Sequence, residues 1–180
     1  AAWAAVSASL GAHEPAYRVA GLRARNPRQR LTSTFSRAGV SIVSGSAQMR
    51  VKLVGYGYQS ALRDLDPAAP RPAVNRVDYR HRGVGEWYAN GPLGLEQGFD
   101  VGARPTIGRG PLSLSLAFSS NLRTRVEHSG LVLQGHGAAL RYGGLAASDA
   151  RGRSLRAWLA LRSGRLLIRV DDRGAVYPVR

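Results

Sequence analysis

Residues 154–172, SLRAWLALRSGRLLIRVDD, constrain the fold of this chain more than any other stretch. A two-residue turn at Ser163 and Gly164 pairs Leu161 with Leu166, Leu159 with Ile168 and Ala157 with Val170, so one face is apolar throughout. The same register sets Trp158 across from Arg169 and Arg156 across from Asp171, a cation–π contact and a cross-strand ion pair on the other face. Both faces agree, which predicts an antiparallel hairpin.

The rest of the chain after Pro15 repeats this pattern in short segments cut by Gly, Pro, Ser and Asn. Leu112, Leu114, Leu116 and Phe118 alternate with Ser113, Ser115 and Ala117, a strand with one buried and one small polar face. Met49, Val51 and Leu53 alternate with Arg50 and Lys52. Leu31 and Phe35, then Val40 and Ile42, flank Arg37-Ala38-Gly39, predicted as a three-residue turn with a positive φ at Gly39. Val126, Leu131, Leu133 and Leu140 mark further strands, and Leu145 begins another before a turn at residues 149–152. Segments 64–74, DLDPAAPRPAV, carry Pro67, Pro70 and Pro72 and predict an internal loop that separates two sheets. Trp3, Val6 and Leu10 fall at helical spacing and predict a short helix over residues 1–12, docked by that apolar stripe. Strands about every eight to twelve residues predict an all-β domain over residues 13–180, a β-sandwich of short antiparallel strands and hairpins.

The 180 residues are enough for one domain with a real core. The net charge of +15 divides almost evenly, +8 over residues 1–90 and +7 over residues 91–180, and only one of 26 basic residues is a lysine, Lys52. That spread argues against a specific nucleic-acid site. The one asymmetry is residues 15–63, with nine basic residues and no acid. Absence of cysteine removes disulfides, thiolate metal sites and cysteine nucleophiles, and leaves the compartment open. No apolar run reaches the ~18 residues of a membrane span. The opening residues lack an initiating Met and the charged stretch of a signal peptide, which points to a start left by processing or truncation. His13, His81, His128 and His136 have no ligand spacing and read as exposed loop residues, so no metal is expected. Asp64-Leu65-Asp66 lacks the glycine and terminal acid of a calcium loop. Gly55-Tyr56-Gly57 precedes no helix, no phosphate-binding or nucleophile-elbow motif occurs, and no cofactor is expected.

Two constellations could carry function. Residues 75–99, NRVDYRHRGVGEWYANGPLGLEQGF, are densest in aromatics and acids. A hairpin centred on Gly91 sets Glu86 opposite Glu96, ~5 Å apart, a separation that resembles a retaining glycosidase pair. The plainer alternative is that Arg76, Arg80 and Arg82 neutralise both acids. In that register Trp87, Leu95, Phe99 and Val101 point inward, while Asn90, Gly91, Pro92 and Gly94 fix the turn beside Tyr88. The second constellation is the outward face of residues 50–58, where Arg50, Lys52, Val54, Tyr56 and Tyr58 point one way. Basic and aromatic side chains on one sheet face suit a sugar or an acidic polymer. Alternatively, Val54, Tyr56 and Tyr58 pack under the Pro-rich loop.

Three segments carry a resemblance: NPRQRLTSTFSRAGVSIVSG (26–45), EWYANGPLGLEQGF (86–99) and LRYGGLAASDARGRSLRAWLALRSGRLLIRVDDRGAVYPV (140–179). With the core phrase W-Y-x-N-G-P-L-G-L-E-Q-G-F and the closing D-x-x-G-x-x-Y-P-[VL], the chain resembles the N-terminal region of large bacterial exported proteins with FG-GAP or related β-propeller repeats. The resemblance implies a noncatalytic β-rich module, structural or interacting, of an extracellular or cell-surface protein, partnered by downstream domains of the same polypeptide. The residues alone leave two alternatives: a carbohydrate- or polyanion-binding module using Arg50, Lys52, Tyr56 and Tyr58, joined by Trp87 if its face is exposed, and a glycan-active enzyme using Glu86 and Glu96.

Overall fold

Alternation becomes strand almost everywhere it occurs in the sequence, and the antiparallel sheets stack as an all-β sandwich behind one short helix. The computed structural model describes residues 2–127, 130–135 and 137–180, with side chains from residue 6 onward. Helix α1 (Ala2–His13) and a 3-10 turn at Pro15–Tyr17 lead into β1 (Val19–Ala20), β2 (Arg23–Asn26), β3 (Leu31–Ser36), β4 (Gly39–Ser44) and β5 (Ala47–Tyr58). These five strands lie side by side in chain order, as short turns require, and β6 (Ala61–Asp64) folds back on the end of β5. The chain then crosses to a second sheet of β7 (Arg71–Ala73), β8 (Arg76–His81), β9 (Val84–Gly91) and β10 (Gly94–Val101). It returns through residues 102–111 to β11 (Leu112–Ser120), which pairs with β5. A third sheet holds β12 (Arg123–Glu127), β13 (Gly130–Gly135) and β14 (Ala138–Gly143), and a small ladder pairs β15 (Ala147–Ser148) with β16 (Ser154–Leu155). Finally β17 (Ala157–Arg162) and β18 (Arg165–Val170) complete a nine-stranded sheet in the order β1-β2-β3-β4-β5-β11-β18-β17, with β6 beside β5.

Register decides the core. Leu53, Leu116, Leu166 and Leu161 align across four strands, as do Tyr56, Leu114, Ile168 and Leu159. This inner face continues through Val51, Val40 and Phe35 and meets Val77, Tyr79, Val84, Tyr88 and Val101 of the second sheet and Leu131 and Leu133 of the third. Phe35 and Tyr79 each set a ring edge-to-face with Tyr88, at 5.5 and 6.1 Å between centroids. Truncating one of the fully buried leucines would cost about 2–5 kcal/mol.

The hairpin of β17 and β18 has the pairings read from the sequence, around a turn with Ser163 at φ 48 and Gly164 at φ 71. Its charged contacts differ. Asp171 is held by Arg173, two residues away, through a forked contact of 2.8 and 2.6 Å, and the Arg156 guanidinium turns to the Trp158 ring at 5.4 Å. A neighbour in the same turn reaches the carboxylate with less side-chain ordering than a cross-strand partner. Between β3 and β4 the turn has two residues, not three, because Ser36 pairs with Gly39, whose φ is 105. The Pro-rich segment does separate the two sheets, but its end is strand β7, with Pro72 on a sheet edge where no amide is needed. Leu145 lies outside any strand, and pairing resumes at Ala147.

Helix α1 docks, though not through the expected stripe. Val6 and Leu10 stay 49% and 50% exposed, and the side chain of Trp3 lies outside the described residues. Contact runs instead along buried Ser7 and Gly11, the small side of the helix, which sits on Gly91. Among the described residues no helix is long and apolar enough to cross a membrane.

Candidate functional site

Pro92 and Leu93 alone form the turn between β9 and β10, because Gly91 pairs with Gly94. The expected register centred on Gly91 is therefore displaced by three residues, and an odd displacement exchanges the faces. Glu86 pairs with Phe99 and Glu96 with Ala89, so the two carboxylates point to opposite sides of the sheet. The cross-strand opposition expected of Glu86 and Glu96 is not formed. Leu95, Phe99 and Val101 face inward as expected; Trp87 does not. Its ring lies over Gly98 on the outer side, with the Arg76 guanidinium 4.4 Å from its centroid. Arg76 also pairs with Asp78 at 2.8 Å. Burial raises the pKa of Glu96, and the charge of Arg76 works against that rise.

Glu86 is buried in the core, where it accepts hydrogen bonds from Tyr88 Oη and Gln97 Nε2, both at 2.8 Å. Gln97 Nε2 also donates to Tyr88 Oη at 2.7 Å, and Gln97 Oε1 accepts from Tyr142 Oη of β14 at 2.8 Å. Burial first, then the Glu86 carboxylate, push the phenols of Tyr88, Tyr142 and Tyr79 above their ordinary value, so they remain protonated donors. The network joins the second and third sheets. His81, expected in an exposed loop, instead has a side chain 4% exposed, stacked on Tyr79 with Nε2 3.5 Å from Glu86 Oε2. His13 is exposed, and His128 and His136 lie outside the described residues. Among the described residues no group of three or more His, Asp or Glu is placed to hold a metal ion.

Asn90 explains the Asn-Gly-Pro-Leu-Gly phrase. Its Nδ2 donates to the carbonyls of Arg25 at 2.7 Å and Tyr17 at 3.1 Å, and its Oδ1 accepts from Asn26 Nδ2 at 2.9 Å. Asn26 also donates to Gly91 O at 2.7 Å, and Asn75 Nδ2 ties Asn90 O at 2.7 Å to Ala8 O at 2.8 Å. Three buried amides thus bolt the hairpin tip to β2 and α1. A side chain on Gly91 would run into Ser7 O, and one on Gly11 into Asn90 O. Close packing and buried hydrogen bonds fill this junction.

The face expected to unite Arg50, Lys52, Val54, Tyr56 and Tyr58 is divided. Ser115 pairs with Gly55 but Leu116 with Leu53, so Val54 is an extra residue, a β-bulge that turns the rest of β5 over. Tyr56 and Tyr58 consequently join Leu114 and Leu112 on the inner face. Tyr58 Oη donates to Asp172 Oδ2 at 3.0 Å, beside the Arg104 guanidinium at 3.1 Å and Tyr177 Oη at 2.7 Å. Arg50 and Lys52 remain on the outer face.

That outer face carries a band of cations that crosses the strands. Arg23, Thr34, Ser41, Arg50 and Ser119 form one row in register, and Arg25, Thr32, Val43 and Gln48 the next. Lys52, Ala117, Arg165 and Arg162 form a third. At ~4.8 Å per strand, the pair Arg23/Arg25 on β2 lies about 14 Å from Arg50/Lys52, and Arg162 on β17 about 14 Å beyond. Among the described residues none of these six cations enters an ion pair, and the nearest acid by register on this face is Asp64 on β6. A shallow depression of about 220 Å³ opens beside Arg50, Lys52, Ala117 and Ser119. Another, of about 390 Å³, lies at the far sheet beside Arg80, His81, Asp100 and a run of glycines. Of the band, strand alternation in the sequence points only to Arg50 and Lys52. Acid-free residues 15–63 signalled Arg23 and Arg25 as well, but Arg162 and Arg165 join only through the topology.

No family model, curated protein or solved structure matches the chain. The resemblance to exported β-propeller-repeat proteins rests on the segments quoted above.

Proposed function

We propose that this chain is a noncatalytic interaction module that holds an acidic polymer against the outer face of its nine-stranded sheet. The observation that carries the reading is the band of six unpaired cations, interleaved with hydroxyls and spread over about six strand intervals, ~29 Å. Arginines outside any ion pair keep their forked donors for carboxylate or sulfate groups, and the serines and threonines between them suit the hydroxyls of a sugar chain. Resemblance to the N-terminal region of bacterial β-propeller-repeat proteins supports an exported or cell-surface setting, with downstream domains of the same polypeptide as further partners.

The test is calorimetric titration with neutral and acidic polysaccharides at low and physiological salt. Saturable binding of acidic polymers alone, surviving physiological salt and weakened in an Arg50→Ala/Lys52→Ala variant, is the expected result. Equal binding of neutral polymers, or none at all, would overturn the reading.

A further inference from the structure

Beside the band, four residues or ~13 Å along β17 from Arg162 and past the row of Ser115, Leu167 and Ala160, the chemistry of the outer face changes. Trp158 lies on the outer face of β17, directly across from Arg169 of β18, and Ser113 of β11 completes the row. The indole is half-buried, not covered, and the Arg156 guanidinium stands 5.4 Å from its centroid. Arg169 Nε is buried and has no hydrogen-bond partner among the described residues. An incoming anion would meet the terminal nitrogens of this guanidinium, which enter no ion pair among the described residues. Asp171, the acid nearest in sequence, is already engaged by Arg173. The site thus offers an aromatic face and two guanidiniums, of which Arg156 also acts on the charge of Asp171.

We propose that Trp158, Arg156 and Arg169 form a flanking subsite that seats one acidic sugar of a polysaccharide lying along the band. This rests on the band being the binding face. The C–H face of a pyranose ring packs on the indole, as apolar surface does on an aromatic ring, while its carboxylate or sulfate accepts from Arg169 and Arg156. Single-stranded nucleic acid fits less well, since it is held by several aromatic platforms along the strand, and Trp158 is the only aromatic among the outer-face residues of the three band rows and this one.

The full chain labelled with 5-fluorotryptophan carries three indoles, and loss of one ¹⁹F resonance in Trp158→Phe assigns Trp158. Titration with polygalacturonate at ~0.15 M salt should shift that resonance saturably and leave Trp87 unmoved. In calorimetry Trp158→Ala should weaken polygalacturonate binding about tenfold, Arg169→Gln similarly, and Trp158→Phe much less. Unchanged affinity in Trp158→Ala, with the Trp158 resonance of the parent chain stationary on titration, would overturn the subsite while the band stands. Failure of the parent chain to bind would overturn both. Stronger binding of single-stranded DNA than of polygalacturonate, lost in Trp158→Ala, would overturn the sugar assignment.

Discussion

Replacing Asn90 with alanine removes three hydrogen bonds from a site only 1% exposed. Each is worth about 1 kcal/mol net, and the carbonyls of Tyr17 and Arg25 lose a donor in a place with little water, which costs about 1 kcal/mol or more apiece. Asn26 keeps its second acceptor, Gly91 O, and so adds little. The sum is about 3–5 kcal/mol, among the larger losses a point substitution produces. For a chain of this size that corresponds to a fall in Tm of about 6–20 °C. Thermal and urea unfolding followed by circular dichroism would read it, with Asn121→Ala as the control. Asn121 also joins backbone groups, accepting from Gln48 N and donating to Ser46 O at 2.8 Å each, but it is exposed, and its loss should cost below about 1 kcal/mol. Equal effects from the two substitutions would refute the argument that burial makes the Asn90 junction strong.

Three further outcomes follow from the same structure. Gly11→Ala, though favourable for a helix, places a methyl against Asn90 O and should release α1, read as faster proteolysis near residues 1–14 with the sandwich intact. Burial of Asp149 opposes its ionisation, but backbone donors from Arg153, Val176 and Arg151, with the Arg153 guanidinium, outweigh it and hold its pKa below the ordinary value. Its contribution is therefore complete above the unfolded value of about 3.9 and disappears as pH falls through the folded one. Acid unfolding curves of Asp149→Asn should show a smaller loss of stability below pH ~4 than the parent. Gly98→Ala would collide with the Trp87 ring and should displace it from Arg76, read as a red shift of indole emission.

How much of this could be read beforehand depends on where turns and bulges fall. The hairpin of β17 and β18 was legible because each face of one register made chemical sense, and a wrong register would have exposed Leu166 and Ile168. Residues 86–101 lacked that redundancy: both faces mix aromatics and acids, so a turn misplaced from Pro92-Leu93 to Gly91 carried Glu86 and Trp87 to the wrong sides. The bulge at Val54 left no mark in the alternation of β5, since Val54, Tyr56 and Tyr58 continue its period on either face. Its closest local trace is the glycine pair Gly55 and Gly57, where β6 lies close. The cation band was half visible in the acid-free residues 15–63. Its other half comes from the far end of the chain, brought alongside by the β5–β11–β18 pairing.

The most direct measurement is the salt dependence of polygalacturonate affinity for the parent chain and for an Arg23→Ala/Arg50→Ala/Lys52→Ala/Arg165→Ala variant, both checked for unchanged melting. If the band holds the polymer, log K should fall linearly with log salt for the parent, and removing four cations should flatten the slope by about 3. A slope and affinity shared by parent and variant would place any binding elsewhere on this basic surface and contradict the account.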